Sequence, residues 1–323
     1  MRHWRGIEDI PPDWGRCVLT IGTFDGVHRG HVELVRRTVN EARKRRLPSA
    51  LITFDPHPAQ VIRAGDHPAQ LTTLARRAEL VGQLGIDVFC VIPFTRELAK
   101  QSAEEFVHEL LVSRLHVAKV LVGENFTFGH RATGNIDMLV ELGKRFGFEA
   151  ESVRLFAEHD VTVSSTYIRS VVAAGDVAAA AEALGRPHRV EGVVVHGDGR
   201  GRELGFPTAN VAPPMYAAIP ADGVYAAWFS ISSPARPSAP GSKQNRASLG
   251  RVAAAVSVGT NPTFSGRERT VEAYVLDKDV DLYGQYVAVD FVRRLRDMWA
   301  FQSREELIDA IAKDVEDTRK ALQ

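Results

Sequence analysis

Residues 18–35, Val18-Leu-Thr-Ile-Gly-Thr-Phe-Asp-Gly-Val-His-Arg-Gly-His-Val-Glu-Leu-Val35, constrain the fold more than any other stretch of the chain. The apolar run Val18–Ile21 reads as a buried strand. A glycine-punctuated turn follows, and a helix opens near His31 with Val32, Val35 and Val39 on one face. Such a junction aims backbone N–H groups and the positive end of a helix dipole into the turn, which suits an anion. His28 and His31 stand at the helix start on a shared face. Gly30 removes the side chain that would block close approach of a phosphate. The plainer reading is a polar turn with two surface histidines. The strand before, the helix after and the glycines at the tight positions favour a phosphate site, with Gly22, Thr23, Phe24 and Asp25 as its wall.

The same alternation continues. The first helix is expected to run to about Arg46, where Arg43-Lys-Arg-Arg46 complements the helix dipole rather than forming a nucleic-acid patch. Ala50–Phe54 is a second strand, and the prolines of Asp55-Pro-His-Pro58 predict an extended, rigid turn after it. Thr72–Leu84 reads as a helix stopped by Gly85, and Val88–Ile92 as a third strand. Ser102-Ala-Glu-Glu105 is a capping box for a helix with Phe106, Leu110 and Leu111 inward. Lys119–Gly123 is a fourth strand, leading into Glu124-Asn-Phe-Thr-Phe-Gly129. Asn135 can cap the helix carrying Ile136, Leu139 and Val140. Strands near 149–154 and 160–163 complete the set. Strands alternating with helices at this spacing argue an α/β fold with a parallel, doubly wound sheet. Stretches 22–31, 54–58 and 123–130 all leave strands on one edge, where ligands of open α/β sheets sit. In Val163-Ser-Ser-Thr-Tyr-Ile-Arg169, the hydroxyls of Ser164, Ser165 and Thr166 can cap a helix or bind phosphate, with Arg169 one turn on.

An Ala-rich helix, Asp176–Leu184, closed by Gly185 and followed by Pro187, marks the expected boundary between a domain at 1–185 and one at 186–323. Beyond it β-rich runs take over: 189–195, 224–229, 252–258, 270–276 and 287–292. Five or six short strands separated by turn signals argue a small antiparallel barrel. A terminal helix starts at the capping box Ser303-Arg-Glu-Glu306, with Ile308, Ile311 and Val315 expected inward. Residues 231–249 have the composition of a disordered loop. In Gly197-Asp-Gly-Arg-Gly-Arg-Glu-Leu-Gly-Phe-Pro-Thr-Ala-Asn210, four glycines in nine residues let backbone approach a ligand. Thr208 and Asn210 point to the same side of an extended segment. Their hydroxyl and amide oxygens are hard donors suited to Mg²⁺ bound to phosphate. A glycine loop simply entering a strand is the alternative.

Composition bounds the partners. At 323 residues the chain is long enough for two domains, with 45% hydrophobic and 25% charged residues as in globular proteins. Lys+Arg and Asp+Glu are both 40, so a basic excess for nucleic acid is lacking. No apolar run approaches the ~20 residues of a membrane span, and the first residues carry no signal-like segment. Cys17 and Cys90 sit in or beside strand-like runs and are expected to be buried, reduced thiols of a cytoplasmic protein. Oligomeric state is not legible.

Taken in order, Gly22-Thr-Phe-Asp-Gly-Val-His-Arg-Gly-His31, Phe54-Asp-Pro-His-Pro58, Ser164-Ser-Thr-Tyr-Ile-Arg169, Gly205-Phe-Pro-Thr-Ala-Asn210, Val258-Gly-Thr-Asn-Pro-Thr-Phe264 and Val271-Glu-Ala-Tyr-Val-Leu-Asp277 resemble the prokaryotic bifunctional riboflavin kinase/FMN adenylyltransferases, or FAD synthetases. The His-x-Gly-His and Ser-Ser-Thr-x-Ile-Arg stretches resemble the two signatures of the nucleotidylyltransferase superfamily. The Phe-Pro-Thr-Ala-Asn loop resembles that of riboflavin kinases. The resemblance implies a Rossmann-like nucleotidylyltransferase domain followed by a six-stranded antiparallel β-barrel with a terminal helix. It implies ATP, riboflavin, FMN and FAD as substrates or products, with Mg²⁺ at both steps. It carries His28, His31 and Arg169 over as catalytic for adenylyl transfer and Glu272 as general base of the kinase, with Glu268 a rival in the preceding turn. Gly205, Pro207, Thr208 and Asn210 would form the kinase loop, the last two as metal ligands. Phe54 and Pro58 would line the FMN pocket. Asn125 stands where many relatives carry Asp, which keeps an acceptor and loses the charge. The 231–249 loop is longer than usual, an insertion that loop-closure entropy tolerates. A single-activity nucleotidylyltransferase with an accessory barrel and a non-catalytic flavin-binding protein are the competing readings.

Overall fold

The structure is a computed structural model that describes residues 1–63, 67–154, 157–158, 161–197, 200–232, 250–263 and 266–323. Of the expected loop 231–249, residues 233–249 lie outside the described residues, as does Phe264 of the Val258–Phe264 motif. The chain divides into two compact units, Met1–Pro68 with Arg76–Ser164, and Ala69–Ala75 with Ser165–Gln323.

The first unit is built on a sheet of β1 (Arg2–Arg5), β2 (Cys17–Ile21), β3 (Ser49–Asp55), β4 (Val88–Pro93), β5 (Val117–Gly123) and β6 (Glu149–Val153). All pairings are parallel, in the order β1-β4-β3-β2-β5-β6. β2, β3, β4 and β5 read as near-continuous apolar runs because both their faces are covered. The accompanying helices are α1 (Arg29–Arg45), α2 (Pro58–Ile62), α3 (Leu74–Gln83), α4 (Ala103–Phe106) and α5 (Ile136–Phe146). α4 carries the expected capping box in full, with Ser102 and Glu105 each bonding the other's backbone N–H. The chain then continues with π-helical geometry through Val107–Arg114, keeping Phe106, Leu110 and Leu111 in the core. Asn135 caps α5 through the Met138 N–H at 2.9 Å.

Two local expectations are corrected, and one strand was not foreseen. β1 forms one edge of the sheet, and the strand expected near 160–163 is not part of that sheet. β1 buries only Trp4 among two arginines and a histidine, so it has no apolar pattern to read. Residues 161–162 form β8 (Val161–Thr162), a short antiparallel ladder with β7 (Ala157–Glu158). As expected, the first helix opens at the histidines: it begins at Arg29, with His28 at the cap and His31 in the first turn. Pro58 opens helix α2 instead of extending a turn; its missing N–H costs nothing at a first helical position, and His57 caps that helix at Ala59 N–H.

The second unit holds α6 (Ser165–Ala173), α7 (Val177–Leu184), capped by Asp176 and ended by left-handed Gly185, and a closed barrel. The barrel strands are β9 (His188–Val195), β10 (Ala209–Ala212), β11 (Gly223–Ile231), β12 (Val252–Thr263), β13 (Gly266–Val275) and β14 (Tyr286–Arg296), all antiparallel in the order β10-β13-β12-β11-β14-β9. Closure removes the sheet edges. A short α8 (Arg200–Glu203) sits in the glycine loop, and α9 (Arg304–Ala321) ends the chain. Residues 69–75 belong here: Gln70 bridges Ala217, Arg169 Nε donates to the Ala69 carbonyl at 2.6 Å, and Thr73 Oγ1 donates to Glu191 at 2.8 Å. On α9 the most buried positions are Asp314 and Thr318, while Ile308, Ile311 and Val315 are half-buried. The apolar stripe expected there yields its centre to a carboxylate because Arg296 grips Asp314 through two hydrogen bonds of 2.9 and 2.7 Å.

Candidate active sites

In the first unit the chain runs from β2 out to β3 and β4 on one side, then returns to β5 and β6 on the other. β2 and β5 therefore flank a topological switch point, where the crevice of an open α/β sheet forms outside the strand ends. The turn Gly22–His28 leaves β2 at that point. The stretch from Glu124, including exposed Asn125, leaves the neighbouring β5. Phe54, near the end of β3, and Pro58, just after it, lie on the other flank of β2, with Phe54 edge-to-face on Phe94. The three polar stretches thus share one edge, as their positions after parallel strands require.

The turn itself is tightly specified. Phe24 and Val27, both buried, adopt left-handed φ of 48° and 41°, and Gly26 lies between them at 83°. A left-handed non-glycine residue costs roughly 1–3 kcal/mol and persists only where surroundings over-determine it. Here the Val27 N–H reaches the Phe24 carbonyl at 3.1 Å and the Gly22 N–H the Ile52 carbonyl at 3.1 Å. The turn delivers His28 to the N-cap of α1, where its Nδ1 accepts the His31 N–H at 3.4 Å. An imidazole accepting at Nδ1 keeps its proton on Nε2 when neutral. The His31 ring stacks on His28 at 3.6 Å and 22°, and leans on Phe24 at 5.1 Å. Two imidazoles and the first N–H groups of a seventeen-residue helix therefore converge, an arrangement that stabilises phosphate charge.

Sequence reasoning missed two contributors. Arg77 and Thr53 are buried behind the turn: Arg77 pairs with Asp25 at 3.5 Å and donates to Thr53 Oγ1 at 3.1 Å. The available signal was an arginine on the apolar face of α3, in line with Ala78 and Val81. Ser164 ends the first unit, whereas Ser165, Thr166 and Arg169 lie on α6 in the second.

In the second unit Asn210 and Glu272 are direct partners across β10 and β13, and Glu272 is also opposite Ser257 on β12. Ala209, Val211, Val271 and Ala273 fill the barrel core. By alternation, Thr208, Asn210 and Glu272 point outward on one face, all half-buried. Directly opposed residues carry Cβ atoms roughly 4.5–5.5 Å apart. The glycine loop lies against this face. A Cβ at Gly197 would fall on the Asn210 amide, within 2.6 Å of its Cγ, and one at Gly201 would lie 3.3 Å from Thr208 Oγ1. The Tyr274 ring, on the same face, meets Phe206 edge-to-face at 5.4 Å. Of the loop, Asp198 and Gly199 lie outside the described residues.

Burial pushes the thiols of Cys17 and Cys90 up to about 12, and neither forms a disulfide. Among the described residues no helix is long and apolar enough to cross a membrane.

Comparison with known proteins also divides the chain in two. Residues 10–167 match the model of the FAD synthetase family and residues 184–322 that of riboflavin kinase. The bifunctional riboflavin kinase/FMN adenylyltransferase of Escherichia coli (strain K12) is 36% identical over 316 residues, covering 97% of this chain and 96% of its own length. That of Haemophilus influenzae is 35% identical, covering 99% of both chains. A crystal structure from Streptococcus pneumoniae, described as a macrolide-efflux protein, is 30% identical with a TM-score of 0.84 and 99% of both chains covered. With both family models matched in series and full-length relatives above thirty percent identity, the chain belongs to the bifunctional riboflavin kinase/FMN adenylyltransferase family.

Proposed function

We propose that residues 1–185 carry the adenylyltransferase and residues 186–323 the kinase of this bifunctional enzyme. It phosphorylates riboflavin with ATP to give FMN, then transfers AMP from ATP to FMN, giving FAD and pyrophosphate. The observation that carries the kinase assignment is the register pairing of Glu272 with Asn210 on the outward face that Thr208 shares.

In the kinase step the terminal hydroxyl of the ribityl chain is a poor nucleophile. Glu272 takes its proton as the oxygen attacks the γ-phosphorus and the bond to ADP breaks. Base assistance of this kind is typically worth ~10²–10⁴-fold. The hydroxyl of Thr208 and the amide oxygen of Asn210 are neutral hard donors. They suit Mg²⁺ whose remaining ligands are phosphate oxygens and water. Bound there, the ion would offset the charge of the transferring phosphates. Gly197 and Gly201 bring the loop against the same face, and Gly205 and Pro207 are assigned to it from their motif.

In the adenylyl step the FMN phosphate is already a nucleophile at neutral pH. It attacks the α-phosphorus, and the bond to the departing pyrophosphate breaks. The protein's task is to offset repulsion between anions. His28, His31 and the N-terminus of α1 do this at the switch-point turn, with Gly30 leaving room for the phosphate. Asn125 adds an uncharged amide, and Phe54 and Pro58 wall the flavin side. The phosphate role of Ser164, Ser165, Thr166 and Arg169 is proposed from their motif alone. Buried, reduced Cys17 and Cys90 support a cytoplasmic enzyme acting on small molecules.

Incubating the full chain with riboflavin, ATP and Mg²⁺, with products separated by chromatography, tests the division. FMN should appear first and FAD after it. FMN as the sole product, or FAD formed only from added FMN, would refute one half of the reading.

A further inference from the structure

Behind the turn that holds the histidines lies a polar cluster that no substrate role requires. Asp25 is 0% exposed and Arg77 5% exposed, so neither side chain meets solvent to a useful extent. The Arg77 guanidinium faces two partners at once, Asp25 at 3.5 Å and Thr53 Oγ1 at 3.1 Å. The Thr53 hydroxyl in turn donates to the carbonyl of Thr23 at 2.9 Å. Arg77 therefore grips the turn twice: through the side chain of Asp25, and through Thr53 at the backbone of Thr23. Between and just after those two grips lie Phe24 and Val27, the residues forced into left-handed backbone. Val27 is β-branched, and such a residue leaves that region unless its neighbours are pinned. The next residue is His28.

We infer that Arg77 is a positioning residue of adenylyl transfer: by holding Asp25 and, through Thr53, the Thr23 carbonyl, it keeps the turn in the form that seats His28 at the α1 cap with His31 stacked on it. Asp25 then acts through the turn and not on the nucleotide. The inference rests on His28 and His31 being the adenylyl site. A bidentate guanidinium suits the task and an ammonium does not, because lysine is a point charge that cannot span both partners in a fixed plane. A buried ion pair is in general no gain in stability over apolar packing, so its value here lies in geometry.

The test uses the full-length enzyme, whose own FMN formation serves as an internal control. Thr53→Val removes only the hydroxyl link; Thr53→Ser restores it; Arg77→Lys keeps the charge and loses the fork. Misplacement of catalytic groups by about an ångström costs up to roughly a hundredfold in rate. Thr53→Val and Arg77→Lys should each lower kcat for FMN-to-FAD conversion about ten- to a hundredfold, with KM for ATP little changed and FMN formation unaltered. Thr53→Ser should recover most of the rate. A merely structural role would leave the imidazoles in place, so ¹³C-histidine NMR provides the separate readout. The signals of His28 and His31, identified by their loss in His28→Asn and His31→Ala, should shift in Thr53→Val and return in Thr53→Ser. Wild-type turnover and unshifted signals in Thr53→Val and Arg77→Lys, alongside an inactive His31→Ala, would overturn the inference alone. Full FAD synthesis by His31→Ala would overturn it together with the site on which it rests. Parallel loss of both activities in Thr53→Val and Thr53→Ser would reduce the cluster to a folding element and also overturn it.

Discussion

On the assignment proposed above, the two units handle the same anion, the triphosphate of ATP, with groups held in place by different means. In the sheet unit the groups sit on a turn and a helix cap, and their geometry depends on left-handed backbone at Phe24 and Val27. Those residues lie outside the strands; besides the turn's own backbone bonds, buried side chains from β3 and α3 grip the turn beside them. In the barrel unit Asn210 and Glu272 are fixed by register, which a ladder of backbone hydrogen bonds sets and which a one-residue slip would reverse. A turn-built site is therefore vulnerable at residues that never meet substrate. A register-built site is vulnerable at its own functional side chains and at whatever lies directly over them.

The strongest way to break this comparison is to remove one functional side chain per unit. Glu272→Gln keeps shape and register and loses the base, so FMN formation should fall by about 10²–10⁴-fold. FMN supplied from outside should still become FAD, as read by chromatography. Unimpaired kinase turnover would remove Glu272 from the chemistry. His31→Ala should do the converse, lowering FAD synthesis about 10²–10³-fold through lost charge stabilisation while FMN accumulates. If either variant lost both activities equally, the two units would not be independently built sites.

The barrel was less legible than the sheet in one respect and more so in another. Apolar strands between capped helices announce a parallel sheet, and Ser102, Asn135 and, in the second unit, Ser303 cap as their spacing required. β1 escaped because an edge strand with one buried residue has no pattern. The half-buried face of α9 misled because its centre is Asp314, whose burial its partner Arg296 explains, and that arginine lies outside the helix, at the end of β14. The motif residues were visible as types, but their partners were not. No spacing rule connects Asp25 to Arg77, since the contact exists only once the fold brings α3 beside the turn and Thr53. By contrast the Asn210–Glu272 pairing is a consequence of strand order, which becomes readable as soon as the barrel is closed.

A smaller effect sharpens the claim about what lies over the barrel site. Gly197 has open backbone geometry, but an added Cβ would land on the Asn210 amide. The obstructing group is the end of a side chain, so Gly197→Ala should turn Asn210 aside without unfolding the strand. Kinase turnover should drop about tenfold, the scale of a misplaced first ligand, and the Mg²⁺ concentration for half-maximal rate should rise. Thermal stability and FMN-to-FAD conversion should stay as in the parent. A Gly197→Ala enzyme with normal Mg²⁺ dependence would separate Asn210 from the metal.

The smallest expected effect lies at the far end of the helix whose first turn carries the histidines. At the C-terminal end of α1, Arg45 bonds Glu41 at 2.8 Å and grips Glu149 through contacts of 2.8 and 2.7 Å, and Lys119 pairs with Glu41, Glu149 and Glu151. The hydrogen bonds from Arg45 are the first cause holding the carboxyls of Glu41 and Glu149 below the usual glutamate range. A carboxyl lowered in the folded state stabilises fully above its unfolded pKa and loses that contribution as pH falls through the folded value. Glu149 is largely exposed, so solvent screening keeps the whole effect small, about 0–1 kcal/mol. Arg45→Ala should therefore lower the melting temperature slightly at neutral pH, and the difference from the parent should vanish as the glutamates protonate in acid. FAD synthesis should be untouched, because the turn is held by anchors behind it and not by charges at the other end of α1. A loss of adenylyl transfer in Arg45→Ala, at unchanged FMN formation, would show that the geometry of the histidine turn depends on the whole helix and would erase the local character that distinguishes it from the barrel site.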